Sequence, residues 1–267
     1  MEPPPSGAIP TAEQQQQQQA RLAEIRAEVA ATQALVGEAQ PSETLLAHYA
    51  TNPGFLAQLP PLIASYSHVR KVRGDGICFY RSLLVALGLA VHRAGALPAD
   101  LLPRVRGAAA ALISFGYSEF VDDFVEALAG YLEGLVAPGR GDAEAAAVAP
   151  LQEGVGDSIL YGLRLLTALQ LHETAAECAV FIEAVHMMTI EQFCNQTVLP
   201  NTEEADHIQI NALATWLRVS LTIVSVDAHT LSSSVVPEAA TLEGLGGAVH
   251  RLALLLRPGH YDVLTPR

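Results

Sequence analysis

The chain has 267 residues, of which half are apolar and 16% are charged, and its formal net charge is −13. This length and apolar content allow a sizeable buried core, which excludes wholesale disorder, and the acidity excludes a non-specific nucleic-acid binder. Three scattered cysteines exclude a disulfide framework, and no apolar run approaches the roughly 20 residues of a membrane-spanning helix. Because the first residues lack the pattern of a secretory signal, we expect a reducing compartment, the cytoplasm or also the nucleus, and no membrane partner.

The N-terminal segment divides into a low-complexity tail and a helical extension. Residues 1–19 are rich in Pro and Gln and predict an unstructured tail. Residues 20–44 predict a helical extension, because the apolar side chains follow a helical spacing as far as residue 38. This narrow apolar stripe consists of Leu22, Ile25, Val29 and Val36. It fits a marginal surface helix as well as a helix held for a partner.

Residues 45–267 predict one α+β domain in which a small, mostly antiparallel sheet packs between helices. A short helix is expected after Glu43, with a turn at 51–54. Helical patterns cover 78–88, 121–135, 158–169 and 173–185, and capping boxes at Thr189 and Asp206 begin two more helices. Residues 137–157 predict a loop with at most a short helix. Strand patterns cover 66–72, 219–226, 249–256 and 261–264, and the Gly-rich run at 244–247 predicts a turn.

Cys78 is the candidate nucleophile of the chain. It follows Gly74-Asp75-Gly76 and begins a helical pattern, and a helix N-terminus stabilises a thiolate. The glycines let backbone amides approach a bound carbonyl, as an oxyanion hole requires. By itself the pattern is also that of an ordinary buried cysteine, because a free thiol is most often a small apolar core residue.

A histidine and an acid near the C-terminus complete the parts of a thiol hydrolase. His260 and Asp262 are two residues apart in a predicted strand, so their side chains share one face and Asp262 can orient the imidazole. Tyr261 between them is expected to pack on the opposite face. A nucleophilic Cys, a His base and an orienting acid together are typical of covalent catalysis, although His260 alone also fits a surface histidine.

Two motifs resemble those of the otubain-type deubiquitinases. The stretch RKVRGDGICFYRSLL resembles their nucleophile segment, with the signature D-G-N-C-F-Y-R, and LRPGHYDVL resembles their histidine motif, P-G-H-Y-D. Four intervening segments are also similar and follow in the same order: FGYSEFVDDF, LRLLTALQLHE, IEQFCNQTVLP and EADHIQINALATWLRVSLTIV. The resemblance covers roughly residues 45–265 and identifies 45–267 as an otubain-like catalytic domain.

The resemblance implies a papain-like OTU cysteine isopeptidase that hydrolyses ubiquitin–lysine isopeptide bonds through a thioester, without metal or cofactor. By motif position, Cys78 is the nucleophile, His260 is the general base and later the acid, and Asp262 orients His260. Asp75 matches the acid of the cysteine loop, and we assign it loop ordering and the positioning of backbone amides. The implied partners are ubiquitin and polyubiquitin chains, and also ubiquitin-conjugating enzymes.

One position departs from the family pattern. Ile77 stands where the family usually has Asn, and its side chain cannot donate a hydrogen bond. The backbone amides of Gly76, Ile77 and Cys78 remain as the predicted oxyanion hole. Since a missing side-chain donor costs about 2.7–4 kcal/mol of barrier in other enzymes, the departure concerns the rate more than the reaction class.

Two other functions fit the same sequence. One is a non-catalytic regulator that inhibits ubiquitin-conjugating enzymes through the N-terminal helix, and the other is a peptidase for a different ubiquitin-like modifier. The remaining chemistry-bearing residues have simpler interpretations. Cys178, His186 and Cys194 have spacings unlike a zinc knuckle, and the two cysteines fit core positions. His207 follows the capping residue Asp206 and could face the site.

Overall fold

The computed structural model describes residues 17, 21, 24, 28–152, 154–244 and 250–267. Of the expected unstructured tail only Gln17 is among them, and its backbone is helical instead. Leu22 and Ile25 of the N-terminal stripe lie outside the described residues, as does most of the Gly-rich run at 244–247. Residues 28–32 are helical as predicted.

The described strands form one mixed sheet. Their bounds are β1 Val36–Pro41, β2 Tyr66–Val72, β3 Val219–Val226, β4 Leu231–Val236, β5 His250–Arg257 and β6 His260–Pro266. The order across the sheet is β1-β2-β6-β5-β3-β4. Every neighbouring pair is antiparallel except β3 and β5, which run parallel with Ile223 opposite Leu254. The prediction of a mostly antiparallel sheet is confirmed.

Helices make up most of the rest of the described chain. Their bounds are α1 Thr44–His48, α2 Pro53–Ser65, α3 Cys78–Ala94, α4 Leu101–Ser114, α5 Val121–Gly134, α6 Val155–Glu173, α7 Ala175–His186, α8 Ile190–Phe193, α9 His207–Leu217 and α10 Ala239–Gly244. Short π-helical turns cover Glu144–Val148 and Cys194–Val198, and a 3-10 turn covers Ala149–Leu151. Among the helices that the structure describes, none is both long and apolar enough to cross a membrane.

The sheet lies between two layers of helices because both of its faces are apolar. On β5, Leu252 and Leu254 face the large core built around α3, α5 and α6, whereas Ala253 and Leu255 face a smaller core. That smaller core also contains Leu59 and Leu62 of α2 and Leu45 of α1. Burial on both faces stabilises the central strands. Because α3 and Val263 of β6 pack in the same large core, this packing also positions the N-terminal end of α3 beside β6.

Several elements differ from the sequence expectation. The helix predicted as far as residue 38 is wrong for 36–38, because this segment belongs to β1 and pairs with β2. Helices α2 and α4 and the strand β4 were not predicted. Helix α2 contains Pro60 and Pro61, which normally interrupt a helix, and β4 is an exposed, Ser-rich edge strand with little apolar pattern.

Helix α3 continues past the glycine at which the sequence predicted its end. Gly88 lies within the helix. The position requires glycine because a Cβ there would collide with the hydroxyl of Tyr131 on α5. The helix ends instead at Gly95, whose positive φ of 70° closes it in the left-handed conformation. The glycine at 88 therefore serves close helix packing rather than helix termination.

Candidate active site

The thiol of Cys78 lies at the start of a helix that is fixed against β6. Cys78 is the first residue of α3 and its side chain is 5% exposed. The Ser82 hydroxyl donates to the carbonyl oxygen of Tyr261 over 3.1 Å, and the ring of Phe79 meets that of Tyr261 edge to face. These contacts hold the helix start beside the strand that carries His260. A thiolate at this position is stabilised by the free N–H groups of the helix end.

His260 lies between Asp262 and Cys78. Its Nε2 is 2.9 Å from Oδ1 of Asp262 and donates to that carboxylate, so Nδ1 is the ring nitrogen that remains for other contacts. Burial by itself lowers the pKa of His260, but hydrogen bonds and charge interactions with Asp262 and Cys78 outweigh it and raise this pKa to about 9. The imidazole is therefore held in its charged form at neutral pH, next to the thiol.

Asp262 is buried and held by three donors. Oδ1 accepts the backbone N–H of Val72 over 3.0 Å as well as the His260 ring, and Oδ2 accepts the guanidinium of Arg257. Burial opposes the charge of the carboxylate, yet the contacts with His260 and Arg257 lower its pKa below the ordinary value. Arg257 also donates to the hydroxyl of Tyr49 over 3.2 Å. The carboxylate is thus charged and fixed in orientation.

Asp75 orders the loop in front of Cys78. Its Oδ1 accepts the backbone N–H of Ile77 over 3.1 Å, and its carboxylate pairs with Arg81, 2.9 Å away on the first turn of α3. The Arg81 side chain is 1% exposed, so its charge depends on this partner. Both contacts fix the conformation of the loop before Cys78, which is the role that we predicted for Asp75.

Because of these contacts, fewer backbone amides fit the predicted oxyanion hole than the three that the sequence suggested. The N–H of Ile77 is engaged by Asp75, so this amide does not fit the predicted role, and the Ile77 side chain packs on the core. Cys78 opens α3, and a first-turn N–H has no acceptor within its own helix. The Cys78 amide, with that of Gly76, is left as the backbone group that fits the oxyanion role.

A buried arginine supports the other side of the loop. Gly76 has a φ of +89°, and a Cβ there would lie 3.2 Å from the carbonyl oxygen of Thr202. The segment that contains Thr202 is tied down by Arg164, which donates to the carbonyl oxygens of Val198 and Glu203 over 2.6 and 2.9 Å. The glycine thus allows the segment 199–206 to close over the cysteine loop.

The sequence did not assign roles to Arg81, Arg164 or Arg257. Two of them lie in the motifs that carry the resemblance, Arg81 in CFYR and Arg257 in RPGH, and Arg257 faces His260 across the β5–β6 turn. Their places within the two motifs, three residues after Cys78 and three residues before His260, were therefore the available signal. Arg164 has no such signal, because its acceptors are carbonyl groups of a distant segment.

The other candidate residues lie apart from this arrangement. Cys194 is fully buried as predicted, and burial raises the pKa of its thiol to about 12. Cys178 is only half-buried, and burial raises its pKa as well. Asp206 caps α9 at Ile208 with a bond of 2.8 Å, and His207 begins that helix. Among the described residues, no group of three His, Cys, Asp or Glu side chains could hold a metal ion.

The fold and this arrangement define a papain-like cysteine peptidase, with thiol, imidazole and buried carboxylate at the junction of α3 and the sheet. A family model described as Peptidase C65 Otubain matches residues 28–266, and the chain belongs to the otubain family. Its curated relatives include an OVARIAN TUMOR DOMAIN-containing deubiquitinating enzyme 1 from Arabidopsis thaliana, 31% identical over 90% of this chain and 83% of the relative. Ubiquitin thioesterase OTUB1 from Homo sapiens is 32% identical to this chain, and the match covers 90% of this chain and 86% of the human protein.

Solved structures show the same relationship. An h/ceOTUB1–ubiquitin aldehyde–UBCH5B~Ub complex contains a chain with a TM-score of 0.81 and 28% identity, over 95% of this chain and 98% of that one. A related complex with UBC13~Ub gives a TM-score of 0.80 and 27% identity at the same coverage. The fold class expected from the sequence is confirmed.

Proposed function

We propose that this chain is a deubiquitinating thiol isopeptidase that hydrolyses ubiquitin–lysine isopeptide bonds. The observation that carries the proposal is the contact of His260 with both Asp262 and Cys78 in a chain of the otubain family. Its relatives are named as ubiquitin thioesterases and deubiquitinating enzymes, and solved relatives bind ubiquitin aldehyde. We place the activity in the cytoplasm or nucleus, where ubiquitin conjugates are found.

The reaction follows from the positions of these side chains. The Cys78 thiolate attacks the isopeptide carbonyl carbon, and the C=O electron pair moves to the carbonyl oxygen. This oxyanion accepts a hydrogen bond from the backbone N–H of Cys78. The tetrahedral intermediate collapses, the C–N bond breaks, and His260 gives its proton to the lysine amine. Water then attacks the thioester carbon while His260 takes one of its protons, and the C–S bond breaks. This restores the Cys78 thiolate and the protonated His260, and the released ubiquitin carboxyl group gives its remaining proton to solvent. Asp262 keeps the imidazole oriented throughout.

An apolar surface on α7 supports a protein substrate. Large apolar side chains are exposed on this helix, with Val180 at 76% and Phe181 at 57%, and Met187, which follows it, is 88% exposed. Exposed patches of this kind are typical of protein-binding surfaces. The end of α7 contacts the segment that closes over Gly76, because His186 is 3.7 Å from Asp206 at the end of that segment. We infer that ubiquitin binds on this surface and places its C-terminus at Cys78.

Removal of the nucleophile tests the reaction. We expect Cys78→Ala to lower cleavage of polyubiquitin chains by at least about a thousandfold and to leave ubiquitin binding intact. The matched control is Cys178→Ala, which removes a half-buried thiol outside the site and should retain cleavage. Cleavage by Cys78→Ala at the wild-type rate would contradict the proposal.

A panel of modifiers tests the substrate. Ubiquitin and other ubiquitin-like proteins, each carrying an electrophile at the C-terminus, should label wild-type protein at Cys78 with ubiquitin reacting fastest. Phe181→Glu should slow labelling by ubiquitin, whereas Phe120→Glu, at a phenylalanine that is 75% exposed and precedes α5, should not. Faster labelling by a different modifier would assign the chain to that modifier instead.

We also propose binding to ubiquitin-conjugating enzymes, because the solved relatives are complexes with UBCH5B~Ub and UBC13~Ub. The predicted contact is the N-terminal helix. Deleting residues 1–32 tests this, because it removes the helix through its last described residue and leaves β1 in the sheet. Loss of inhibition of ubiquitin transfer together with retained cleavage of chains would separate the two activities, and retained inhibition would exclude the helix as the contact.

A further inference from the structure

A cavity of about 680 Å³ opens beside His260, between residues 32–37, α1, β2 and the β5–β6 turn. Its wall includes His48, Lys71, Gly74, Arg257 and His260. Although the chain carries 28 Asp and Glu residues, none is among the described residues that line this cavity. An acidic protein thus has a basic cavity directly next to its candidate catalytic histidine.

Lys71 is the most distinctive residue of this cavity. Of the 15 Lys and Arg residues of the chain, Lys71 is the only lysine. Its side chain is exposed, and its Nζ lies 3.5 Å from Nδ1 of His48. Burial, and then the charges of Lys71 and Arg257, lower the pKa of His48, although Asp262 acts in the opposite direction. The local field is therefore positive.

The other basic groups near the cavity already have partners. Arg257 pairs with Asp262 and is part of the support of His260. Arg73, next to the cavity, donates from Nε to the carbonyl oxygen of Gln33 over 2.9 Å. Lys71 and His48 contact each other, but neither forms an ion pair with a carboxylate of the described residues, so they are the side chains that remain to meet an acidic ligand.

The chemistry of the reaction identifies what enters this cavity, and this step rests on the proposed function. His260 must deliver its proton to the lysine nitrogen, so the chain that carries this lysine leaves on the His260 side of Cys78. Gly74 leaves that side open, since a Cβ there would lie 3.3 Å from Nδ1 of His260. The segment 199–206 occupies the other side of the cysteine loop.

We propose that Lys71, together with His48, selects leaving chains that carry acidic residues next to the scissile lysine. The ammonium group of Lys71 pairs with a carboxylate of the leaving chain while the lysine amine lies at His260. This contact determines specificity for the departing chain and takes no part in the bond-breaking step. It acts on the substrate side opposite to the ubiquitin whose C-terminus is attacked.

The test uses ubiquitin joined by an isopeptide bond to a lysine within short peptides. In one peptide the lysine is flanked by Glu residues and in the other by Arg residues, and a third substrate carries a small fluorogenic amine with no flanking residues. We expect wild-type protein to cleave the Glu peptide about fivefold faster in kcat/KM than the Arg peptide, which corresponds to one ion pair of about 1 kcal/mol. This ratio should fall as the salt concentration rises.

Substitutions at Lys71 decide the outcome. Lys71→Glu should reverse the preference and Lys71→Arg should keep it. Arg251→Glu makes the same change of charge at an exposed site outside the cavity wall and should leave the ratio unchanged. An unchanged ratio in Lys71→Glu, or an equal change in Arg251→Glu, would overturn the proposal. Failure of wild-type protein to cleave any of the three substrates would instead refute the proposed function, and this specificity with it.

Discussion

His260 and Asp262 form a hydrogen-bonded ion pair across one face of β6, with Nε2 and Oδ1 2.9 Å apart. The Asp262 side chain is 1% exposed and that of His260 is 18% exposed. Solvent therefore screens the pair poorly, and each partner keeps the other charged. Because Nε2 is used by Asp262, Nδ1 is the ring nitrogen left for the contact of His260 with Cys78.

This ion pair predicts the pH dependence of the reaction. With the pKa of His260 raised to about 9, the imidazolium that gives its proton to the leaving amine persists through neutral pH, and kcat/KM should fall with a midpoint near pH 9. Asp262→Asn should move this basic limb to lower pH, because the side-chain contact that raises the His260 pKa loses its charge. The measurement is the pH profile of kcat/KM with a small-amine ubiquitin substrate. A basic limb that does not move in Asp262→Asn would contradict the assignment.

The same shifts affect the free energy of unfolding. Since the His260 pKa is raised in the folded state, its stabilising contribution is complete below the unfolded pKa near 6.5 and is lost as the pH rises through about 9. The Asp262 pKa is lowered, so its contribution is present above 3.8 and is lost as the pH falls through the lowered value. We expect stability by urea unfolding to be greatest between these limits, and Asp262→Asn to flatten both flanks.

Arg257 is expected to act on the reaction through Asp262. In Arg257→Gln the buried carboxylate loses a charged partner, so we expect a loss of about 2 kcal/mol of stability and a smaller kcat at neutral pH. Tyr49→Phe is the matched control, because it removes the hydroxyl that accepts from Arg257 and leaves the pair with Asp262 in place. If Tyr49→Phe lowers kcat as much as Arg257→Gln, the effect arises from packing rather than from the carboxylate. Unfolding curves and steady-state kinetics on the three proteins distinguish these cases.

Sequence patterns sufficed for the elements whose periodicity is local. The caps at Thr189 and Asp206 formed as predicted, with both halves of each capping box present. Helix α2 was missed because its two prolines are tolerated only in the context of the smaller core, and β1 because pairing with β2 overrides a weak helical spacing. These outcomes depend on tertiary contacts that a single sequence does not contain.

In the candidate site, too, local patterns predicted some features and tertiary contacts determined the others. A spacing of two residues within a strand suffices to place His260 and Asp262 on one face. A helical pattern that begins directly after two glycines suffices to identify Cys78 as the candidate nucleophile. The engagement of the Ile77 amide by Asp75 depends on the conformation of a loop, and the closure over Gly76 depends on Arg164 at a distance of 88 positions in sequence. The sequence therefore identified the reacting groups better than the groups that position them.

Ile77 gives a prediction about rate. Its side chain packs on the core, so Ile77→Asn should lower the free energy of unfolding by about 1 kcal/mol while it adds a side-chain donor beside the oxyanion position. We expect kcat to rise about tenfold, a part of what one such donor contributes in other enzymes. Ile77→Leu keeps the apolar packing without a donor and should leave kcat unchanged. An unchanged kcat in Ile77→Asn would mean that the backbone amides suffice.

Asp75 is predicted to be a positioning residue. In Asp75→Asn the side-chain oxygen can still accept the Ile77 N–H, but the buried Arg81 loses its charged partner. We expect stability to fall by about 2 kcal/mol, and kcat to fall about tenfold while KM is unchanged, because the cysteine loop shifts without a change in the ubiquitin-binding surface. Asp227→Asn is the matched control: Asp227 accepts the N–H groups of His229 and Thr230 in an exposed turn, so its loss should leave kcat unaltered. A rise in KM with constant kcat in Asp75→Asn would place this residue in substrate binding instead.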